Sequence, residues 1–308
     1  MAAAVNPPYF EPTGYFSSSV FRSIKPLETR SIDIGAHMKR HIAFRLKQLP
    51  VLRNVFYDRP SELNIGTFGG FQVAYRKGTA DEVVIAHSFD HDEFFTGVPE
   101  YQAARNHIVI DIGAHIGTFS LLASSKVPLG KVYAIEPSED TFHFLRVNVA
   151  LNRAINVSVH HLAIMAERGV ATLYHDAGNW GHSVVKRLSP RSEQVAACSL
   201  SDFMEDNGIQ QCDFMKLNCE GAEFPILLNT PPDVLGRFGA LLVLYHSDLW
   251  EQNTPQELLV HLTASGFKWD VRNQTKMRGW IVAINSSASM PQVGSVTLGH
   301  CEQRQLGS

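Results

Sequence analysis

Hydrophobic positions along this chain gather into short unbroken runs, separated by longer stretches with helical spacing. That alternation is expected of a parallel sheet covered by helices on both faces. Ile108, Val109 and Ile110 form the first run and Lys131-Val-Tyr-Ala-Ile135 the second. Ile155 to His160 predicts a third strand, Phe214-Met-Lys-Leu217 a fourth and Ala240-Leu-Leu-Val-Leu-Tyr245 a fifth. Phe267 to Val271 and Gly279 to Ile284 flank a polar turn and predict a closing hairpin. Together they make a mostly parallel, seven-stranded α/β sheet with right-handed crossovers. Between strands, Ser138 is placed to cap a helix with Glu139 and Asp140 in its first turn and Phe142, Leu145 and Val149 on its inner face. Thr254-Pro-Gln-Glu257 reads as a capping box with proline at the first helical position, and Gly266 marks that helix's end.

Outside this core the pattern loosens. Residues 1 to about 35 mix Pro, Ser and Gly with isolated aromatics, as in an arm. Met38, Ile42, Ala43, Leu46 and Leu49 then recur at helical spacing, with Lys39, Arg40, Arg45 and Lys47 on a solvated opposite face. Residues 63 to 76 alternate around Gly66, Gly69 and Gly70 and predict a small antiparallel cap. A strand-rich excursion is expected at about 169 to 199, and Ser286-Ser-Ala-Ser-Met290 opens a polar, aperiodic and disordered tail. The division is therefore an N-terminal extension over 1–82, a main domain over 83–285 and a tail over 286–308.

Composition narrows the partners. At 44% hydrophobic residues, a 308-residue chain can build one large core, and a net charge of −3 gives no general pull toward nucleic acid or an anionic membrane. A small-molecule partner is expected, with oligomeric state open. Cys198, Cys212, Cys219 and Cys301 show no paired metal-ligand spacing and read as reduced thiols of a cytoplasmic protein. No apolar run is long enough to span a bilayer, and Asn6-Pro-Pro-Tyr9 breaks any signal-peptide pattern.

The candidate chemistry sits where the first strand ends. Asp111-Ile-Gly113-Ala114-His115-Ile-Gly117 turns from a buried strand into a helix with D-x-G-x-x-x-G spacing. A dinucleotide site usually reads G-x-G-x-x-G, whose middle glycine admits a pyrophosphate. Here His115 stands in that position. S-adenosylmethionine (SAM) has no phosphate but carries a sulfonium and an α-ammonium, which suit a carboxylate beside the turn. Glu136-Pro137 ends the next strand and puts a second carboxylate 25 residues after Asp111, where it can accept both ribose hydroxyls. A turn of the same kind without a ligand is the competing reading.

D-I-G-A-H-I-G-T-F-S from Asp111, A-I-E-P-S from Ala134, N-V-A-L-N from Asn148 and K-L-N-C-E-G-A-E from Lys216 resemble the FkbM-type SAM-dependent methyltransferases over roughly residues 83 to 285. The resemblance implies a Rossmann-like class I methyltransferase fold and methylation of a small polar acceptor, most often a hydroxyl of a natural product or sugar. It puts Asp111, Gly113, Ala114 and Gly117 around the methionine portion, with His115 in the same turn. Glu136 would bind the ribose beside Pro137, and Leu162, Ala163 and Ile164 would flank adenine. The chain departs from the family pattern at Asn218, where Asp is usual, at Leu200-Ser201-Asp202, at Leu244-Tyr245-His246 and at His115 in place of Asn.

For the acceptor proton two residues stand out. Glu220 follows the fourth strand and His246 ends the fifth, both at the carboxyl edge where α/β sites form. Phe94 and Phe95 are expected in a lid, while Trp180, His182 and Asn218 are expected to face the substrate. His87-Ser-Phe-Asp90-His91-Asp92-Glu93 is rich in potential ligands but lacks a second spaced set, so no metal site is assigned. The leading function is an O-methyltransferase. A SAM-binding module with altered activity and, further off, an NAD-dependent oxidoreductase are the alternatives.

Overall fold

In the computed structural model, residues 63–90, 92–176, 181–250 and 252–286 are described. The expected N-terminal arm, the helix near 36–50, His91, Trp180 and the tail beyond Ser286 lie outside them.

The sheet follows the hydrophobic runs. Strands β3 (Ile108–Ile112), β4 (Lys131–Ile135), β5 (Val157–His160), β9 (Cys212–Leu217), β10 (Phe238–His246), β11 (Phe267–Arg272) and β12 (Arg278–Asn285) form it in the order β11-β12-β10-β9-β3-β4-β5. All are parallel save β12, which runs antiparallel to both its neighbours. The third strand starts two residues later than its apolar pattern suggests, since Ile155 is 97% exposed. Alternate residues feed two cores. Ile110, Met215 and Leu241 pack on one face, while Val109, Phe214 and Leu242 pack on the other.

From β3 the chain winds outward to β4 and β5, then returns to lay β9 on the opposite side of β3. The reversal opens a crevice at the carboxyl ends of β3 and β9, where ligands of open α/β sheets bind. Helices α3 (Thr118–Lys126) and α4 (Glu139–Leu151) follow β3 and β4. The excursion between β5 and β9 is a three-stranded sheet ordered β6-β8-β7, from β6 (Ala163–Met165), β7 (Gly169–Tyr174) and β8 (Ser192–Ser199). Helices α5 (Leu200–Asp206), α6 (Glu223–Asn229), α7 (Pro232–Leu235) and α8 (Pro255–Ala264) complete the covering layers.

Two local features differ in their outcome. The Thr254 capping box forms, with the Glu257 carboxylate accepting from the Thr254 backbone N–H. Ser138 precedes α4 but its hydroxyl caps nothing; the Glu139 N–H donates to Glu193 Oε1 instead, at 3.3 Å.

The antiparallel cap is the hairpin β1 (Leu63–Phe68) and β2 (Phe71–Arg76). Two side chains of α4, one turn apart, bind its backbone as a neighbouring strand would. Asn148 Oδ1 accepts from Ala74 N–H at 2.7 Å while its Nδ2 donates to the carbonyls of Ala74 and Ile116. Asn152 repeats the pattern on Gln72. Short helices α1 (Asp81–Ile85) and α2 (Glu93–Thr96), joined through a π-helical turn over Ala86–Asp90, lead from the hairpin toward β3.

Candidate active site

The turn after β3 is shaped by one close approach. Gly113 has φ +74°, and a Cβ there would fall 1.9 Å from the backbone carbonyl oxygen of Asn218. Only glycine lets the ends of β3 and β9 meet this closely. The N–H groups of Gly113 and Ala114 donate to the carbonyl of Ile135, so the turn leans toward β4. There Glu136 accepts from His115 N–H at 2.9 Å and from Ser138 N–H at 3.0 Å, one on each carboxylate oxygen. Each oxygen keeps a lone pair, enough for a diol. Burial pushes the Glu136 carboxyl up to about 7, against the backbone donors and the nearby cations Arg76 and Lys216.

Gly113, Ala114, His115, Glu136 and Pro137 line one cavity, joined by Leu162, Ala163 and Ile164 at the apolar end. Its other wall carries Phe94, His182, Lys216, Asn218 and Glu220. Asn218 Oδ1 is buried there without a hydrogen-bond partner. A buried polar atom left so is usually completed by a ligand or water.

Three expected cavity residues stand elsewhere. Asp111 is fully buried behind the turn, where Lys216 Nζ donates to it at 2.8 Å and Ser120 Oγ at 2.6 Å. Lys216 also donates to the Gly113 carbonyl, so the pair braces the turn from beneath and Lys216 takes the place on the wall. Gly117 heads α3 and packs on Leu145. Phe95 turns into the core against Phe119, Phe214 and Tyr101, because consecutive residues on a helix diverge by about 100°. Phe94 takes the cavity side and stacks on Trp280.

Glu220 and His246 are brought together but play different parts. Glu220, at φ +50°, reaches the cavity, and its carboxylate packs on Gly181, where a Cβ would fall 2.4 Å from Cδ. Ser183 Oγ donates to the Glu220 carbonyl. His246 lies behind, its Nε2 3.7 Å from Glu220 Oε2 and its Nδ1 3.1 Å from Glu223 Oε1. Glu223 is fully buried at the start of α6 and also accepts the N–H groups of Cys219 and Gly221. Burial works against a charge on His246, yet Glu220 and Glu223 outweigh it and lift the imidazole to about 9. Burial raises the Glu220 carboxyl, opposed by His246 and Arg278. His182 accepts the Asp176 N–H at Nδ1, and burial, helped by His175, pushes it down to about 3, so it stays neutral. Among the described residues no three potential ligands are grouped to hold a metal ion, and the acidic stretch near residue 90 disperses, with Asp92 taking Lys126 and Glu93 near His87.

The sequence profile described as "Methyltransferase FkbM domain" matches residues 111–268, just over half of the chain. The chain belongs to the FkbM methyltransferase family. Its cofactor is S-adenosylmethionine, which sets the dinucleotide alternative aside. The FkbM chain is 27% identical over 140 residues to Methyltransferase 1 of Beauveria bassiana, covering 39% of this chain and 56% of that protein. It is 27% identical over 154 residues to Methyltransferase sdnD of Sordaria araneosa, covering 40% and 60%. The match thus spans little more than half the length of these relatives. TYW2 of M. jannaschii, solved in complex with AdoMet, aligns at a TM-score of 0.40 and 15% identity over 73% of this chain and 86% of that one. The sheet itself, seven-stranded and parallel but for β12, is the α/β architecture that the hydrophobic pattern predicts.

Lys216, on the cavity wall, and Glu223, behind His246, are two positions that the sequence motifs do not single out. A single lysine inside an apolar strand, Phe214-Met-Lys-Leu217, was the signal for the first, since a buried cation demands a partner. The second acid of Glu220-Gly-Ala-Glu223 was the signal for the second.

Proposed function

We propose that this FkbM methyltransferase methylates a hydroxyl of a small natural product or sugar in the cytoplasm, with Glu220 receiving the hydroxyl proton. The observation that carries the reading is that Glu220 lines the same cavity as Glu136, with the His246 imidazole held behind it. Glu136 is placed to accept the two ribose hydroxyls, and Leu162, Ala163 and Ile164 to enclose the adenine. When bound, SAM supplies a methyl group on a sulfonium centre and departs as the thioether.

The chain's own residues do the rest. A free ammonium on the wall would repel a sulfonium, and Asp111 cancels the charge of Lys216 across 2.8 Å. Burial makes the Glu220 carboxylate more basic, and His246, 3.7 Å behind it, works against that rise. Glu220 would take the hydroxyl proton of the acceptor on a carboxylate oxygen. His246, locked by Glu223, does not touch the acceptor and acts as a positioning residue. Asn218, in place of the family's usual Asp, offers a neutral amide to the acceptor. An uncharged acceptor fits that wall better than a cationic one.

The test is methyl transfer from isotopically labelled SAM across hydroxyl, amine and carboxylic acceptors, with products identified by mass. A methyl ether is expected. Transfer confined to amines or carboxylates would overturn the hydroxyl assignment, and SAM binding without any transfer would favour a binding module.

A further inference from the structure

The family match begins at residue 111, yet the cofactor turn is held from outside it. Arg76, the last residue of β2, and Asp81, the first of α1, form a pair that is almost wholly buried. Asp81 Oδ2 accepts from the Arg76 backbone N–H at 2.7 Å and from Nε at 2.9 Å, and Oδ1 accepts from Nη2 at 2.9 Å. The guanidinium also donates to Thr141 Oγ1 and lies over Phe144, both on α4. Asp81 Oδ1 in turn stands 3.6 Å from Nε2 of His115. His115 occupies the left-handed region at φ +54°, uncommon for a side chain of its size, and its backbone N–H is one of the two that hold the Glu136 carboxylate.

We propose that Asp81 is a positioning residue of the cofactor site, holding His115 so that its N–H presents the Glu136 carboxylate to the ribose. The inference rests on the reading of Glu136 as the ribose acid. Arg76 fixes the Asp81 carboxylate from one side, and Asp81 Oδ1 stands against the His115 imidazole on the other. The hairpin is thereby a working part of the cofactor site.

SAM affinity of the full chain, measured by calorimetry for Asp81→Asn, His115→Asn and the double variant, tests the proposal. Asparagine tolerates the left-handed backbone, so His115→Asn removes the imidazole while keeping the turn. Each single variant should weaken SAM binding by about fivefold or more, and the double no further than the worse single, as for two residues acting through one contact. In Asp81→Asn the loss should appear in the KM for SAM rather than in kcat, as for a residue that acts only through the cofactor site. Independent multiplication of the two effects, or wild-type affinity in folded His115→Asn, overturns the proposal. If Asp81→Asn fails to fold because Arg76 loses its partner, the charge-free pair Arg76→Met with Asp81→Leu must show the same loss of affinity, and wild-type binding by it overturns the proposal equally. Glu136→Gln is run alongside: normal SAM binding by that variant sinks the ribose reading itself, separately from the fate of Asp81.

Discussion

At the residue scale the site is a set of charges assigned to different tasks by burial and partners. Removing the proton acceptor with Glu220→Gln should lower turnover by roughly 10²- to 10⁴-fold while SAM affinity, read by calorimetry, stays within about twofold. His246→Asn should cost less turnover, and it should also move the pH profile in a defined direction. Protonated His246 holds the Glu220 carboxyl down against burial. Without that cation the carboxyl rises further, so the acid limb of the turnover profile should shift to higher pH in the variant. An unmoved limb would show that the two side chains are not coupled. Glu136 yields a second pH prediction of its own. A diol donates to the ionised carboxylate, and in the free protein that form dominates only above about 7. SAM affinity should therefore fall as pH drops from 8 to 6, with proton release on binding below 7. A flat affinity profile would remove Glu136 from the contact.

At the element scale, polar side chains do some of the joining usually left to apolar packing. Asn148 is fully buried on α4 and makes three hydrogen bonds to backbone groups of β2 and of the turn after β3. Asn148→Ala strands those groups, and buried groups left unpaired cost about 1–3 kcal/mol each. A loss of roughly 3 kcal/mol or more in urea unfolding is expected, together with weaker SAM binding as the hairpin loosens. A variant that unfolds like the parent would show that water replaces the amide. The central strands β3, β4, β9 and β10 were legible because burial on both faces forces continuous apolar sequence, and the Thr254 box because its partners lie three residues apart. The pairs that matter most to the site were not legible. Asp111 meets Lys216 across 105 positions, and Arg76 and Asp81 look in sequence like any turn following a strand. Glu136 and Glu220 could be found because strand ends at the carboxyl edge are predictable places. The roles of Asp111 and His246 could not, because whether a side chain faces the cavity or the brace behind it depends on the strand it pairs with.

At the scale of the whole molecule, the cavity draws on the turn after β3, the acid after β4, the loop after β9 and the segment before β8, so its occupant should stabilise the sheet as a unit. Among the described residues no helix is long and apolar enough to cross a membrane. A ligand that binds only the folded state at a hundred times its Kd adds about 2.7 kcal/mol. For a folded region of this size each kcal/mol moves the midpoint by roughly 2–4 °C. SAM at that excess should accordingly raise the midpoint of the main transition by about 5–10 °C, and S-adenosylhomocysteine, which shares the adenosine and amino acid portions, should do likewise. Glu136→Ala should lose most of that shift while keeping a cooperative transition, because it removes ligand contacts and leaves both cores untouched. A shift of the full size in Glu136→Ala, or a transition that splits so that only its minor part responds to SAM, would mean that the occupied site is not the cavity between β3, β4 and β9.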